Sequence, residues 1–243
     1  MNMKNNSINA DLIEKFRNVV NSNLDFVFQK YKNKNGKNYW NLICSCMDWI
    51  TVAIIHLQNN SFSKKDINVM TMQVFSYISS IDIVYESIKQ LHRAIKGNTI
   101  LPFHESKYIF SKNNIYKDDN EYFKQIRAAF GAHPVNLNDI NGKWFASWPN
   151  HAIFDKGYDF ELQLYSLDIN KEDVIFGLKF AELDSFLLER YSYLLILIDE
   201  INKQFEEYKN ALRKEIIEDN EDTLKLLQIL KMESEKRLNN DYY

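Results

Sequence analysis

A chain of 243 residues with 45% hydrophobic and 26% charged side chains carries enough apolar mass for a sizeable core, which excludes wholesale disorder. A formal charge of −3 gives no global attraction to nucleic acid, so any RNA-binding surface must be local. Six Gly and three Pro are too few for a sandwich of many short strands, and favour long helices. The polar residues 1–10 lack the apolar run of a signal peptide. The richest apolar run, 49–57, is broken by Thr51 and His56, so no membrane span is expected and the cytoplasm is the expected location. Cys44 and Cys46 lie two apart in a helical pattern. That spacing suits neither a mutual disulfide nor a zinc site, and they read as reduced core residues.

The first half reads as three helices. Residues 8–31 carry Leu12, Phe16, Val19, Val20, Leu24 and Phe28 near helical spacing, and the basic loop 32–37 ends the run. Residues 39–57 set Trp40, Ile43, Met47, Ile50 and Ile54 on one stripe. Asp66 is placed to cap a third helix, whose stripe runs Met70, Val74, Ile78, Ile81, Tyr85, Ile88, Leu91 and Ile95 before Gly97 closes it. Residues 98–117 look irregular. Asp118 and Asp119 then open a short fourth helix, with negative charge at the positive end of its dipole, running to about Phe130 and stopping at Gly131.

The period then changes. Residues 144–148 look extended. Phe160, Leu162 and Leu164 alternate with polar neighbours, and Val174, Phe176, Leu178 and Phe180 alternate again after a polar turn. These spacings predict an antiparallel β-hairpin or three-stranded sheet over about 143–181. It sits between the fourth helix and a long C-terminal helix. Leu187, Tyr191, Leu194, Ile198, Ile201, Phe205, Tyr208 and Leu212 keep helical spacing without a break, as in a core helix or a dimer seam. Residues 218–243 form a final amphipathic helix or tail. With 12 acidic and 8 basic side chains over 199–243, this end reads as a solvated surface. The expected organisation is one mainly α domain over 1–217 followed by that tail.

The fourth helix carries the segment with chemistry. Arg127 lies in its last turn, where a cation is favoured by the dipole, and His133 follows between Gly131 and Pro134. A histidine past a helix C-terminus is favoured in its charged form and suits proton transfer near neutrality. An Arg followed at four to six residues by a His, at the end of a late helix in a bundle, resembles the HEPN superfamily. The resemblance covers the motif and its helical context, over about residues 40–212. It implies a HEPN-like helical bundle, and a homodimer that brings two such pairs together as a metal-independent RNase site without cofactor. His133 would then be the acid/base at the ribose 2′-hydroxyl or the leaving oxygen, and Arg127 the group on the scissile phosphate. A guanidinium offers paired donors to phosphate oxygens and neutralises charge that builds in the transition state. The resemblance also implies RNA as substrate, a toxin or phage-defence role, and a protein partner or antitoxin. One departure is visible: catalytic members usually carry Asn, Asp or His directly after the Arg, and here the residue is Ala128. The alternative is therefore a catalytically silent HEPN-like module that binds nucleic acid or protein.

Each residue also has a plainer role open to it. His133 would cap helix carbonyls, Arg127 would pair with Glu121 or Asp119, and Asn136 would form a turn instead of contacting substrate. Lys124 and Arg93 are candidate RNA contacts, within a span (84–143) holding 9 basic and 6 acidic side chains. Trp144, Trp148 and His151 suit either base stacking or the sheet core, and His56 reads as a core histidine. No Walker loop, dinucleotide fingerprint, serine elbow or HExxH sequence is present.

Overall fold

The longest apolar pattern in the chain becomes the helix around which the others pack. In the computed structural model, which describes residues 8–63, 65–97, 100–139, 142–148 and 157–237, this is a 30-residue helix, Ile67–Lys96. Asp66 caps it by accepting the N–H groups of Asn68 and Val69, and Gly97, at φ +77°, ends it. Four helices precede or include it: α1 (Asp11–Ser22), α2 (Leu24–Lys32), α3 (Tyr39–Asn59) and this one, α4. Residues spaced three and four apart on α4, among them Ile78, Ile81, Val84, Ile88 and Leu91, are fully buried. Each contributes about 1.5–3 kcal/mol by leaving water.

Helices α3 and α4 run antiparallel. A ring nitrogen of His56 meets the Ser76 hydroxyl at 2.9 Å, and Cys46 is hydrogen-bonded to Ser87. Burial pushes the Cys46 thiol up to about 11, and the Cys44 thiol is raised for the same reason. Both α3 and α4 are long and apolar enough to cross a membrane by length and composition, at mean hydropathy 1.4 and 1.2. The absence of such a segment was expected from sequence. Here their apolar stripes, from Ile43 to Leu57 and from Met70 to Ile95, form the core of a helical bundle.

After α4 come α5 (Asp119–Arg127) and a π turn (Ala128–Ala132). A four-stranded antiparallel sheet follows, in the order β1 (Leu137–Asp139), β2 (Gly142–Ser147), β3 (Phe160–Ser166) and β4 (Val174–Leu178). This is one strand more than the expected hairpin or three-stranded sheet. β1 is only three residues long, too short to show an alternating pattern. Phe160, Leu162 and Leu164 face inward as their spacing implied. Phe130 holds the sheet to the π turn through Phe160 and Phe176, at ring distances of 6.0 and 5.5 Å. Phe180 is not in the strand; it opens the next helix, α6 (Phe180–Ser192), which is followed by α7 (Leu194–Arg213) and α8 (Thr223–Lys236).

Two expected helices are each broken once. The first is divided at Asn23, whose side-chain amide donates to the Val19 carbonyl at 2.9 Å and competes with the helical bond. The long C-terminal run is divided at Tyr193, whose N–H reaches only three residues back, to Arg190. That break preserves the apolar spacing, so the sequence pattern does not reveal it. The row from Leu187 to Ile201 is buried against the chain's own core, and Phe205 and Tyr208 pack on Phe26, so it serves as the core helix of the two roles its spacing allowed.

Residues 100–118 contain no helix or strand and are held by the first turn of α5. Asp118 caps α5 through the Glu121 N–H. Asp119, expected to serve the dipole, is instead fully buried and accepts the backbone N–H groups of Tyr108, Ile109 and Phe110 at 2.9, 3.0 and 3.4 Å. Asn120 donates to the Phe103 carbonyl and accepts from the buried Arg190 guanidinium, both at 2.8 Å. That guanidinium lies 3.6 Å from the Phe186 ring centroid. Replacing Asp119 with Ala leaves three N–H groups without their acceptor, and is expected to cost about 3 kcal/mol in urea unfolding. Asp119→Asn, which keeps one acceptor oxygen, should lose less. Equal stability of Asp119→Ala and wild type would show that the carboxylate does not hold the loop.

Candidate functional site

Helix α5 buries Tyr122, Phe123 and Ile126, with Phe123 stacked on Phe186 at 4.3 Å. This arrangement turns Arg127 toward α4. Its Nη1 donates to Asp82 Oδ2 at 2.9 Å, with 41% of the Arg127 side chain and 20% of the Asp82 side chain exposed. The expected partners are not used: Asp119 braces the loop, and Glu121 lies 3.9 Å from Lys124. Burial raises the pKa of Asp82, and the Arg127 charge is the largest influence against that rise. Sequence reading missed Asp82. It is the only charged side chain between Asp66 and Glu86, which is the signal that would have found it.

The five residues after Arg127 form the π turn, whose last bond runs from the His133 N–H to the Ala128 carbonyl at 3.0 Å. Such wide turns recur at functional sites. Gly131 is needed where the turn meets α4, because a Cβ there would lie 2.9 Å from Phe75 Cδ2. The turn is therefore fastened to α4 at two points, Phe75 and Asp82.

His133 follows at once and is exposed. Its carbonyl accepts the Asn136 N–H at 3.0 Å, and the Pro134 carbonyl accepts the Ala146 N–H of β2 at 2.6 Å. The backbone is thus tied on both sides, while the imidazole makes no hydrogen bond or ion pair among the described residues. It does not cap the helix carbonyls. Asn136 closes the turn through its backbone. Lys124 is exposed near Glu121. Arg93 is exposed on the Asp82 side of α4, eleven residues further on and so about 16 Å along the axis. The structure thus groups Arg127, Asp82 and His133 around the π turn and leaves Arg93 apart.

A cavity of about 340 Å³ adjoins the turn, lined by Met72, Phe75, Gly131, Pro134, Ala146 and Trp148 among others. Trp148 is 45% exposed and donates to Asn68 at 3.3 Å, whereas Trp144 is buried in the sheet. His151 lies outside the described residues. His92 is buried with its Nδ1 2.8 Å from the Tyr193 hydroxyl. No family model, curated protein or solved structure matches the chain.

Removing Arg127 takes away the strongest influence holding the Asp82 pKa down, so Arg127→Ala should raise that pKa further, as followed by carboxyl NMR titration. A carboxyl whose pKa is higher folded than unfolded loses stability as pH rises from its unfolded to its folded value, and that loss should deepen in Arg127→Ala. An unmoved Asp82 titration would show that the contact carries no electrostatic weight.

Proposed function

We propose that this protein is a HEPN-like, metal-independent endoribonuclease acting as a homodimer, with Arg127 on the scissile phosphate and His133 moving the proton. The observation that supports this most is the π turn, which holds an exposed, unpaired His133 and a half-exposed Arg127 within six residues on a braced backbone. Neutral His133 takes the 2′-hydroxyl proton as the 2′ oxygen bonds to phosphorus. The bond to the 5′ oxygen breaks, and that oxygen takes the proton that His133 accepted, which returns the imidazole to its neutral form. The products are a 2′,3′-cyclic phosphate and a 5′-hydroxyl, with no water consumed and no metal required. Arg127 must exchange Asp82 for phosphate. That exchange leaves the half-buried Asp82 carboxylate without its counter-charge, a cost that the new bonds from Arg127 to the phosphate must offset. The cavity beside Gly131 and Pro134, with Phe75 and Trp148 at its rim, suits a splayed base next to the cleaved bond.

The dimer interface is placed on the face that exposes Trp49, Val52 and Ile55 of α3 and Val69 and Met72 of α4. Exposed apolar side chains gathered on two packed helices suit an association surface. A toxin or phage-defence role in the cytoplasm, with an antitoxin as protein partner, follows from the same family reading. The Arg127–Asp82 pair and Ala128 favour a second reading, a silent module in which Arg127 holds the fold while the surface binds RNA or a partner.

The test is RNA cleavage in EDTA by wild type, His133→Ala and the double variant Val52→Glu/Met72→Glu. Wild type should cut, His133→Ala should lose at least about a hundredfold, and the double variant should sediment as an inactive monomer. Equal cutting by wild type and His133→Ala would overturn the assignment, and inertness of all three would leave the binding module as the better account.

A further inference from the structure

Asp82 lies where α4 meets the end of α5, one helical turn before Glu86. Among the described residues, Arg127 is the one cation within ion-pair distance of its carboxylate. Lys89, the next cation along α4, is engaged by Glu86 instead. The fold gains little from this carboxylate. Burial raises its pKa even with the Arg127 charge beside it, so the ionised form is kept at a cost that the pair does not repay. What the carboxylate does is occupy Arg127. The Nη1 group of the guanidinium donates to Oδ2, while 41% of the Arg127 side chain remains open to solvent. A negative charge at that point also repels an incoming phosphate. The carboxylate and an RNA phosphate are therefore rivals for one guanidinium.

We propose that Asp82 is an autoinhibitory latch, which holds Arg127 on α4 in the free protein and yields it to an RNA phosphate when RNA docks. The inference rests on the reading of Arg127 as the phosphate-binding group of the site, and adds how that group is regulated. The closed state is the one seen, with a single N–H of the guanidinium given to a single carboxylate oxygen. A phosphodiester presents two oxygens to the guanidinium fork, the stronger arrangement, so RNA is able to displace Asp82. Opening has a cost because no second cation is free to take the place of Arg127: Lys89, whose charge also reaches Asp82, is already paired with Glu86. The apparent affinity for RNA is lowered in proportion to the fraction of protein that is open. The proton transfer at His133 lies downstream of this step, so the latch acts on substrate binding and not on turnover.

The experiment uses the full chain and reads two things: binding of an uncleavable 2′-O-methyl RNA oligomer by fluorescence anisotropy, and cleavage of the unmodified oligomer in EDTA. The proteins are wild type, Asp82→Asn, Glu86→Gln, Arg127→Ala and the double variant Asp82→Asn/Arg127→Ala. Asp82→Asn keeps the side-chain shape and removes the charge. It should bind RNA about five- to tenfold more tightly and cut it with KM lowered by a similar factor at unchanged kcat. It should melt no lower than wild type, because a half-buried charge is removed. The gain should vanish in the Arg127→Ala background. Glu86→Gln removes an equal charge one turn away and should gain less than about twofold. If Asp82→Asn does not fold, the Asp82 carboxyl resonance of wild type should move as the 2′-O-methyl RNA is added, because Arg127 leaves it. Unchanged or weaker binding by Asp82→Asn, a gain that persists without Arg127, an equal gain in Glu86→Gln, or an Asp82 resonance that stays put at RNA saturation would overturn the latch. Slower turnover by Asp82→Asn would overturn it as well, by making Asp82 an aid to Arg127. Any of these results beside a wild type that cuts RNA removes the latch alone. Tighter binding by Asp82→Asn with no cutting by any protein removes the ribonuclease alone, and failure of every protein to bind RNA removes both.

Discussion

The position of α5 depends on three consecutive side chains at its start. A nine-residue helix is too short to be stable by propensity alone, so its place must come from tertiary contacts. Asp118 caps it, Asp119 gathers three backbone N–H groups of the preceding loop, and Asn120 joins that loop to the buried Arg190 of α6. Each bond satisfies a polar group that burial would otherwise leave costly. The far end of α5 carries Arg127 and the π turn, so whatever fixes the first turn also fixes where His133 stands.

The second constraint comes from α4. It packs against α3, α5, the π turn, α6 and α7, and it meets the turn at Phe75 and Asp82. A half-buried carboxylate on a long apolar helix is costly, and burial raises the pKa of Asp82 accordingly. Arg127 offsets it in part. The pair therefore joins stability to the candidate chemistry: the same guanidinium that answers Asp82 is the one offered to a phosphate. His133 is under no such demand. Its backbone is held by Ala128, Asn136 and β2, while its ring remains available.

Much of the helical frame was legible in the sequence, because the frame is written in apolar spacing. The cap at Asp66, the start of α5 at Asp118, the end at Gly97 and the inward row Phe160, Leu162, Leu164 appear where pattern and helix-end chemistry place them. The breaks at Asn23 and Tyr193 were not legible, since neither disturbs the apolar period. β1 has too few residues for a pattern, and Phe180 continues the strand's alternation while belonging to a helix. At the site, the order Arg127, Gly131, His133, Pro134 was readable, but the π turn and the Asp82 partner were not, because both are made by contact with α4. A cavity beside Gln125 is a further step removed, formed by residues from α5, the loop and all four strands that no local spacing joins.

The central claim is that Arg127 and His133 cut RNA through the ribose hydroxyl. The most direct measurement offers the protein, in EDTA, a labelled RNA oligomer and the same oligomer with a 2′-deoxy sugar at the cleaved position. The account predicts that the RNA is cut to a 2′,3′-cyclic phosphate and that the deoxy oligomer is left intact at that position. Cleavage of the deoxy bond, or of neither oligomer, would contradict it.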